Sequence, residues 1–332
     1  MSTRRSRWYL ALATVFTLGG GAVAQQAPAA HTLSVATLAP SGSTWMRGLE
    51  AANRELRRRT NGAVALRFYP GGVQGDESEV VRKMRQGRLD GAVLTGVGLG
   101  QVHRPVLAFM LPNIFPNHAA MERSRTALSG EVERQFLANN FVLAAWGDTG
   151  TPRLFSQREI HTPHDLQALH PWIWRDDVIL PALYGEAGAH GVPLALPEVL
   201  SALQTNRIDT FIAPPLAALA LQWSTRATFV SEGANSFGLG GIVFTRHAWE
   251  SIPADQQAIG RQVVQEFNAL IGRNVTRDDE NALHAMTTRG MHQMSFTEAE
   301  RGQWAQLFER TRHRLVGTVS DAAWMERVRV GH

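Results

Sequence analysis

Two histidines and a short acidic run are the residues of this chain whose types and spacing could support chemistry. His161 and His164 lie three positions apart, but Pro163 separates them and no glutamate or further histidine is placed nearby to complete a metal site. The acidic run Asp278–Glu280 could act as paired carboxylates, yet adjacent acids at a predicted helix start complement the helix dipole without catalysis. The sequence therefore predicts no metal site and no catalytic residue.

Three glycines come nearest to a nucleotide-binding motif. Gly96, Gly98 and Gly100 follow the first predicted strand at a distance and lack the third-glycine spacing of a Rossmann turn. The signature motifs of serine hydrolases, zinc proteases and P-loop proteins do not occur in the sequence. We therefore expect no cofactor and no enzymatic activity.

An alternation of strands and helices would have to position any binding site. Residues 33–37 alternate as a strand, and Ser43 precedes a helix whose apolar residues, Trp45 among them, share one face. A second strand follows at residues 64–68, and Asp76 is placed to cap the next helix. This order predicts an α/β fold with parallel strands, in which ligands bind beyond the carboxyl ends of the strands.

One short pattern occurs twice in the chain. Met84–Gly91 and Leu203–Thr210 each lead into an apolar run. Each copy is typical of a helix that ends at Gly or Asn, followed by an Arg-apolar-Asp turn into a buried strand. Chance recurrence of a common turn is the alternative. Because the copies are too far apart for a solenoid repeat, we interpret them as belonging to two similar α/β lobes.

The N-terminus has the layout of a secretory signal peptide. Three arginines precede a mostly apolar run, which glycines interrupt short of the roughly 20 residues that a bilayer span needs. A membrane anchor is the competing interpretation. Removal of residues 1–24 lowers the formal net charge from +4 to +1, so we expect no nucleic-acid partner. The absence of cysteine excludes disulfides and thiolate metal sites.

The C-terminal part changes to helical periodicity. Beyond Pro253, Ile259 and Phe267 belong to one apolar stripe, and Thr297 with Glu300 forms a capping-box pattern that begins a last helix. We expect a long helix that braces both lobes. The predicted division is a signal peptide at 1–24, lobe I at 25–149 plus 237–277, and lobe II at 150–236 plus 278–332.

Several short stretches carry a family resemblance by their order and spacing. They are Thr60–Gly62 before a strand that ends at Phe68–Pro70, Gly72–Glu77, Gln86–Asp90, Thr162–Leu166 and Glu198–Thr205. Together they resemble the solute-binding subunit of tripartite ATP-independent periplasmic (TRAP) transporters, the DctP family. The resemblance implies a periplasmic protein with a type II-like, Venus-flytrap fold, whose two lobes close on a small-molecule solute. It also implies a membrane permease as partner and, as in some family members, a further periplasmic helper protein.

Two positions depart from the pattern of that family. Where the family places an arginine that binds the ligand carboxylate, after Thr162–Leu166, this chain has Trp172. Where the family commonly has a polar residue after Asp209, this chain has Ala213. A tryptophan cannot neutralise a carboxylate, and a buried unpaired charge costs several kcal/mol. We therefore expect a hydrophobic or aromatic solute.

Two alternatives remain open at this point. An organic acid could be held by Arg153, near the position of another arginine that the family uses, or by Arg175. The protein could also be a periplasmic interaction protein without a ligand, or an enzyme. Further candidate ligand-binding residues fall at or near predicted strand ends. They are Ser43, Trp45, Thr95, Trp174, Phe211 and Phe237.

Overall fold

The computed structural model describes residues 30–233 and 236–331. The predicted signal peptide at residues 1–24 lies outside the described residues and stays a prediction. Within the described ranges, none of the helices combines the length and the apolar character needed to cross a membrane.

Strands and α-helices alternate through most of the described chain. The strands are β1 (His31–Thr37), β2 (Val64–Tyr69), β3 (Gly91–Thr95), β4 (Phe141–Gly150), β5 (Arg153–Ser156), β6 (Trp172–Trp174), β7 (Val192–Leu194), β8 (Thr210–Ala213), β9 (Phe229–Ser231), β10 (Gly238–Thr245) and β11 (His292–Met294). The helices are α1 (Thr44–Arg59), α2 (Glu77–Arg85), α3 (Gly96–Val102), α4 (His118–Ala138), α5 (Ile179–Glu186), α6 (Val199–Gln204), α7 (Pro215–Ala220), α8 (Arg246–Glu250), α9 (Ala254–Thr288), α10 (Glu298–Leu315) and α11 (Ala322–Val330). Short 3₁₀ turns occupy Arg104–Met110, Pro163–Ala168, Leu196–Glu198 and Trp223–Arg226.

The first lobe is built on a five-stranded sheet in the order β2-β1-β3-β10-β4. The strands β2, β1 and β3 are parallel, whereas β10 is antiparallel to both β3 and β4. Helices cover both faces of this sheet, as the buried residues of two separate core clusters require. The carboxyl ends of β1 and β3 therefore meet at one edge of the lobe.

The second lobe is built on a smaller sheet in the order β11-β9-β5-β8. The strand β5 is antiparallel to β8 and β9, and β11 is parallel to β9. A parallel pair formed by β6 and β7 extends the sheet, because Pro171 forms a bridge with Thr210 at the start of β8. This arrangement brings the end of β6 and the end of β8 to the same side.

The duplicated sequence pattern forms the same turn in both lobes. Gly87 follows α2 with φ +70° and Asn206 follows α6 with φ +54°, the left-handed conformation that these residue types tolerate. Asp90 then accepts a hydrogen bond from the backbone N–H of Ser34 at 2.7 Å, and Asp209 accepts one from the backbone N–H of His170 at 2.8 Å. Each carboxylate thereby ties its turn to the neighbouring chain segment.

The helix α9 runs without interruption for 35 residues, or about 50 Å, and packs in both lobes. Val263 and Ile271 lie in a core cluster of the first lobe, whereas Ala282 and Met286 lie in a core cluster of the second. The predicted bracing helix is therefore confirmed.

The acidic run at 278–280 does not begin a helix, so that prediction was wrong. These residues lie inside α9, and Asp279 is buried there. Its carboxylate accepts hydrogen bonds from the backbone N–H groups of Thr151, at 2.9 Å, and Leu216, at 2.8 Å. Asp279 therefore fixes the chain where it passes from β4 to β5.

The C-terminal helix α11 packs in the first lobe, although the predicted division placed residues 278–332 in the second. The indole N–H of Trp324 donates to the carbonyl oxygen of Pro105 at 2.9 Å, and Val328 packs in the same core cluster as residues of α4. Sequence periodicity identifies an apolar face but not the surface that it covers. The other boundaries of the predicted division remain a prediction.

Candidate ligand-binding site

A cavity of about 250 Å³ lies between the two lobes. The first lobe contributes Leu38, after β1, and Thr95, at the end of β3. The second lobe contributes Trp172 from β6 and Ala213 from the end of β8. We call it the interlobe cavity. It lies beyond the carboxyl ends of strands from both sheets, where open α/β sheets place their ligands.

Tryptophan side chains form much of the wall of the interlobe cavity. The rings of Trp172 and Trp174 lie 5.7 Å apart, and those of Trp172 and Trp223 lie 5.1 Å apart in an edge-to-face arrangement. Trp172 is only 3% exposed, and its indole N–H donates to the carbonyl oxygen of Leu194 at 3.1 Å. Trp45 approaches from the first lobe, with its indole N–H directed to the carbonyl oxygen of Asp148 at 3.3 Å. These indole N–H groups are used within the protein, so the rings present apolar surface to the cavity.

Two of the described residues that line this cavity have ionisable side chains, and both are acidic. Glu77 accepts hydrogen bonds from the backbone N–H groups of Thr95, at 2.6 Å, and Gly98, at 2.7 Å, and from the Thr95 hydroxyl. Burial raises the pKa of Glu77 to about 7. Asp177 accepts from the backbone N–H groups of Ile179 and Leu180, and burial raises its pKa as well. Among these lining residues a negatively charged ligand would thus meet two acids and no cation.

A second, smaller cavity of about 60 Å³ adjoins the first and is called the side cavity below. It reaches into the second lobe between β5, α5 and α10, and Arg153 and Tyr184 line it. Nη1 of Arg153 donates to the carbonyl oxygens of Ser231, at 2.9 Å, and Glu232. Burial lowers the pKa of Arg153, and Asp279 partly offsets this. Of the two arginines predicted to hold an acidic ligand, Arg153 therefore faces the side cavity.

The sequence profile of the bacterial extracellular solute-binding protein family 7, DctP, matches residues 35–316. The chain belongs to this family. Family 7 comprises solute-binding proteins and not enzymes, in agreement with the expected lack of catalytic activity.

Solved structures of TRAP periplasmic solute-binding proteins share the fold of this family 7 member. The protein from Desulfovibrio salexigens, with bound orotic acid, is 19% identical with a TM-score of 0.83 over 91% of this chain and 97% of that one. The protein from Sulfurospirillum deleyianum, with bound succinate, is 18% identical with a TM-score of 0.84 over 92% of this chain and the whole of the other. At this level of identity the likeness establishes the two-lobed α/β fold.

Curated relatives match part of the chain. A solute-binding protein of Chromohalobacter salexigens is 27% identical over 165 residues, which is 49% of this chain and 49% of that protein. One of Roseobacter denitrificans is 27% identical over 181 residues, 54% of this chain and 55% of that protein. The chain thus spans about half the length of the curated relatives it matches.

The predicted site residues divide into those that line a cavity in this family 7 protein and those that do not. Trp45, Thr95, Trp172, Trp174 and Ala213 line the interlobe cavity, and Arg153 lines the side cavity. The lining residues do not include Ser43, Phe211, Phe237 or Arg175.

The residues outside the cavity walls have other roles in the structure. Ser43 caps α1 by accepting from the backbone N–H of Met46, and Phe211 is buried in a stack with Phe155. The guanidinium of Arg175 is exposed and pairs with Glu198 at 2.7 Å. Strand-end position alone does not separate residues that face the cleft from those that face the core.

Sequence reasoning missed several side chains of the site. Glu77 lies in the family-like stretch Gly72–Glu77, which was the available signal for it. Trp223 and Tyr184 had no such signal, because a 3₁₀ turn and the middle of a short helix carry no pattern that marks a ligand-facing side chain.

One cluster among the described residues has the composition of a metal site. Ligand atoms of His118, Glu122 and Asp148 all lie within 4.8 Å of one another. The buried guanidinium of Arg125 bonds Glu122 at 2.5 Å and Asp148 at 3.1 Å, so both carboxylates already have a cationic partner. This arrangement favours an ion-pair network over a metal site.

The glycines of α3 serve packing and not a cofactor. A side chain at Gly96 would meet the Sδ of Met110 at 1.8 Å, and one at Gly100 would meet Leu107 at 2.9 Å. All three glycines of the motif are buried. The absence of a Cβ atom at Gly96 and Gly100 therefore lets the helix lie close to Met110 and Leu107 of the following 3₁₀ turn.

Proposed function

We propose that the protein is the periplasmic solute-binding receptor of a TRAP-type transporter and that its solute is a hydrophobic or aromatic small molecule. In this proposal the protein has two partners, which are the membrane permease and a further periplasmic helper protein. Closure of the lobes over the solute would change the shape of the protein, and the permease could then distinguish the solute-bound form from the empty one.

The composition of the interlobe cavity carries this proposal. Four tryptophans line it together with aliphatic side chains, and its described lining residues include no lysine, arginine or histidine. Burial of each large apolar group is worth about 1.5 to 3 kcal/mol, so a ligand of matching shape gains affinity from area. A free carboxylate would instead be desolvated beside Glu77 and Asp177.

The test is direct detection of a bound compound. Native mass spectrometry of the protein purified without additives, followed by organic extraction, is expected to reveal an apolar or aromatic molecule. Titration with aromatic compounds is expected to change the fluorescence of the cavity tryptophans. Retention of a small, highly polar acid instead would contradict the hydrophobic part of the proposal.

Two tryptophan substitutions, one inside the interlobe cavity and one outside it, localise the binding. Ala217 lines the interlobe cavity, whereas Ala323 is exposed on α11. Ala217→Trp is expected to fill the cavity and lower the affinity for any retained compound by at least tenfold, whereas Ala323→Trp leaves it unchanged. Equal affinities of the two variants would show that the compound binds elsewhere.

An organic-acid ligand is the second candidate, because the structural neighbours were solved with organic acids and Arg153 lines the side cavity. Arg175 supports this candidate less, since it pairs with Glu198 and lines neither cavity. A thermal-shift panel of small carboxylates separates the two candidates, because stabilisation follows occupancy.

A further inference from the structure

The side cavity differs in chemistry from the interlobe cavity that it adjoins. The two share walls, so a ligand in one can extend into the other. The shared wall residues are Met110, Pro152, Ile179, Leu180, Ile212 and Ser236. Only the side cavity adds a guanidinium, from Arg153, and a phenol, from Tyr184.

Tyr184 holds a buried hydroxyl that has no hydrogen-bond partner in the described part of the chain. The side chain is 1% exposed and packs among apolar residues of β5, α5 and α10. Burial raises the pKa of Tyr184, with a smaller contribution from Asp177, so the hydroxyl keeps its proton and remains a donor. An unpaired buried hydroxyl is unfavourable, and such groups normally find a partner.

Arg153 makes the same cavity electropositive. Its guanidinium donates to two backbone carbonyl oxygens, and no carboxylate of the described residues forms an ion pair with it. Asp279 acts on it only at longer range. The side cavity therefore combines a hydroxyl donor with a positive charge, whereas the acids Glu77 and Asp177 line the interlobe cavity.

We propose that the side cavity is a polar subsite in which Tyr184 determines specificity by donating a hydrogen bond to an oxygen at one end of the ligand. The ligand class is an elongated, mainly apolar molecule with a terminal carboxylate or carbonyl group. Its apolar body lies against the tryptophans of the interlobe cavity, and its oxygen-bearing end enters between β5 and α5. The inference rests on the proposed function, since it presumes that the interlobe cavity binds an apolar body.

Three probes with the same phenylalkyl body test the subsite. They are hydrocinnamate, benzylacetone and n-butylbenzene, which end in a carboxylate, a ketone and a methyl group. Dissociation constants are measured by titration calorimetry or tryptophan fluorescence for the wild type, for Tyr184→Phe and for Tyr69→Phe. Tyr69 is the matched control because it lines neither cavity.

Tyr184→Phe is expected to weaken binding of the oxygen-bearing probes about three- to tenfold and to leave n-butylbenzene unchanged. Tyr69→Phe is expected to change none of the three. A preference for hydrocinnamate over benzylacetone would assign the end group as a carboxylate near Arg153, and equal binding would assign it as any oxygen acceptor. The subsite is overturned if the oxygen-bearing probes bind no better than n-butylbenzene, or if Tyr184→Phe weakens all three equally.

The stability of the ligand-free variant separates this role from a structural one. Because Tyr184→Phe removes an unpaired hydroxyl and keeps the ring, its Tm without ligand is expected to equal or exceed that of the wild type. A clear loss of Tm would show that the hydroxyl supports the fold instead. If the probes bind the wild type but Tyr184→Phe does not weaken the two oxygen-bearing ones, the subsite alone is overturned, whereas failure of all three probes to bind the wild type would overturn the proposed function with it.

Discussion

The indole N–H of Trp174 lies 2.9 Å from Oδ2 and 3.0 Å from Oδ1 of Asp76, and this contact joins the two lobes. Asp76 caps α2 in the first lobe by accepting from the backbone N–H of Glu77, and Trp174 ends β6 in the second lobe. The backbone N–H of Leu196 adds a longer contact to the same carboxylate at 3.4 Å. One helix-capping residue therefore also links the two lobes beside the interlobe cavity.

Trp174→Phe is expected to shift the protein towards an open form. Phenylalanine keeps an aromatic wall but cannot donate to Asp76, so the closed form loses about 1 kcal/mol and the Kd of a bound solute rises roughly fivefold. Small-angle X-ray scattering is expected to give a larger radius of gyration for the ligand-free variant.

Trp324→Phe is the matched control for this change. Its indole N–H donates to Pro105, within the first lobe, so the variant loses a hydrogen bond without affecting lobe closure. If both variants show the same affinity and the same radius of gyration, the contact between Trp174 and Asp76 has no part in closure.

Asp279→Ala is expected to lower the free energy of unfolding by about 2 to 4 kcal/mol. The change leaves the backbone N–H groups of Thr151 and Leu216 without the acceptor that they share, and each such loss costs about 1 to 3 kcal/mol. Urea denaturation measures the effect. The neighbouring Glu280 is exposed, so Glu280→Ala is expected to stay within about 0.5 kcal/mol of the wild type. Similar losses in both variants would assign the effect to helix charge and not to the buried hydrogen bonds.

Local features of the fold were accessible from the sequence, because they depend on residues a few positions apart. Asp76 and Thr297 cap helices as expected, since each capping side chain bonds a backbone N–H in the first turn of its helix, and Ser43 caps the helix that it was expected to precede. The second role of Asp76 was not accessible, because its partner Trp174 lies 98 positions further along the chain. The same limit explains why α11 was assigned to the wrong lobe.

The candidate site was accessible only where a family pattern could be compared. Trp172 and Ala213 stand out as departures from that pattern, and both line the interlobe cavity. Phe211 shares a face of β8 with Ala213 but lies one pleat deeper in the second lobe, where the rings of Phe155 and Trp223 cover it. The unpaired state of the Tyr184 hydroxyl depends on packing between three elements, which no local pattern encodes.

Glu77 is expected to make the protein less stable as the pH rises from about 4.5 to about 7. Burial raises the pKa of Glu77 from 4.5 to about 7, so across this window the folded protein holds a proton that the unfolded chain releases. Unfolding is then favoured by rising pH, by up to about 3 kcal/mol over the window. The urea midpoint of the wild type, measured against pH, is compared with that of Glu77→Gln, which cannot titrate.

The comparison for Glu77 uses the slope with pH and not the absolute stability. Glutamine offers one carbonyl oxygen where the carboxylate serves two backbone N–H groups, so Glu77→Gln is expected to be less stable at every pH. Glu79→Gln, on the same helix and with its side chain 44% exposed, is the control and is expected to keep the wild-type slope. Identical slopes for all three proteins would show that Glu77 is ionised throughout the window.

Trp172→Arg is expected to convert the apolar site into one that binds small carboxylates. A guanidinium at this 3% exposed position is buried without a partner, so the ligand-free variant should lose several kcal/mol of stability. Succinate or benzoate would supply the missing charge, and at about 100 times the Kd the Tm should rise by about 5 °C. Trp172→Leu removes the same indole without adding charge, so it should gain no stability from either acid. An equal response of the two variants would mean that position 172 does not select the ligand, because only the arginine variant carries the charge that a carboxylate can recognise.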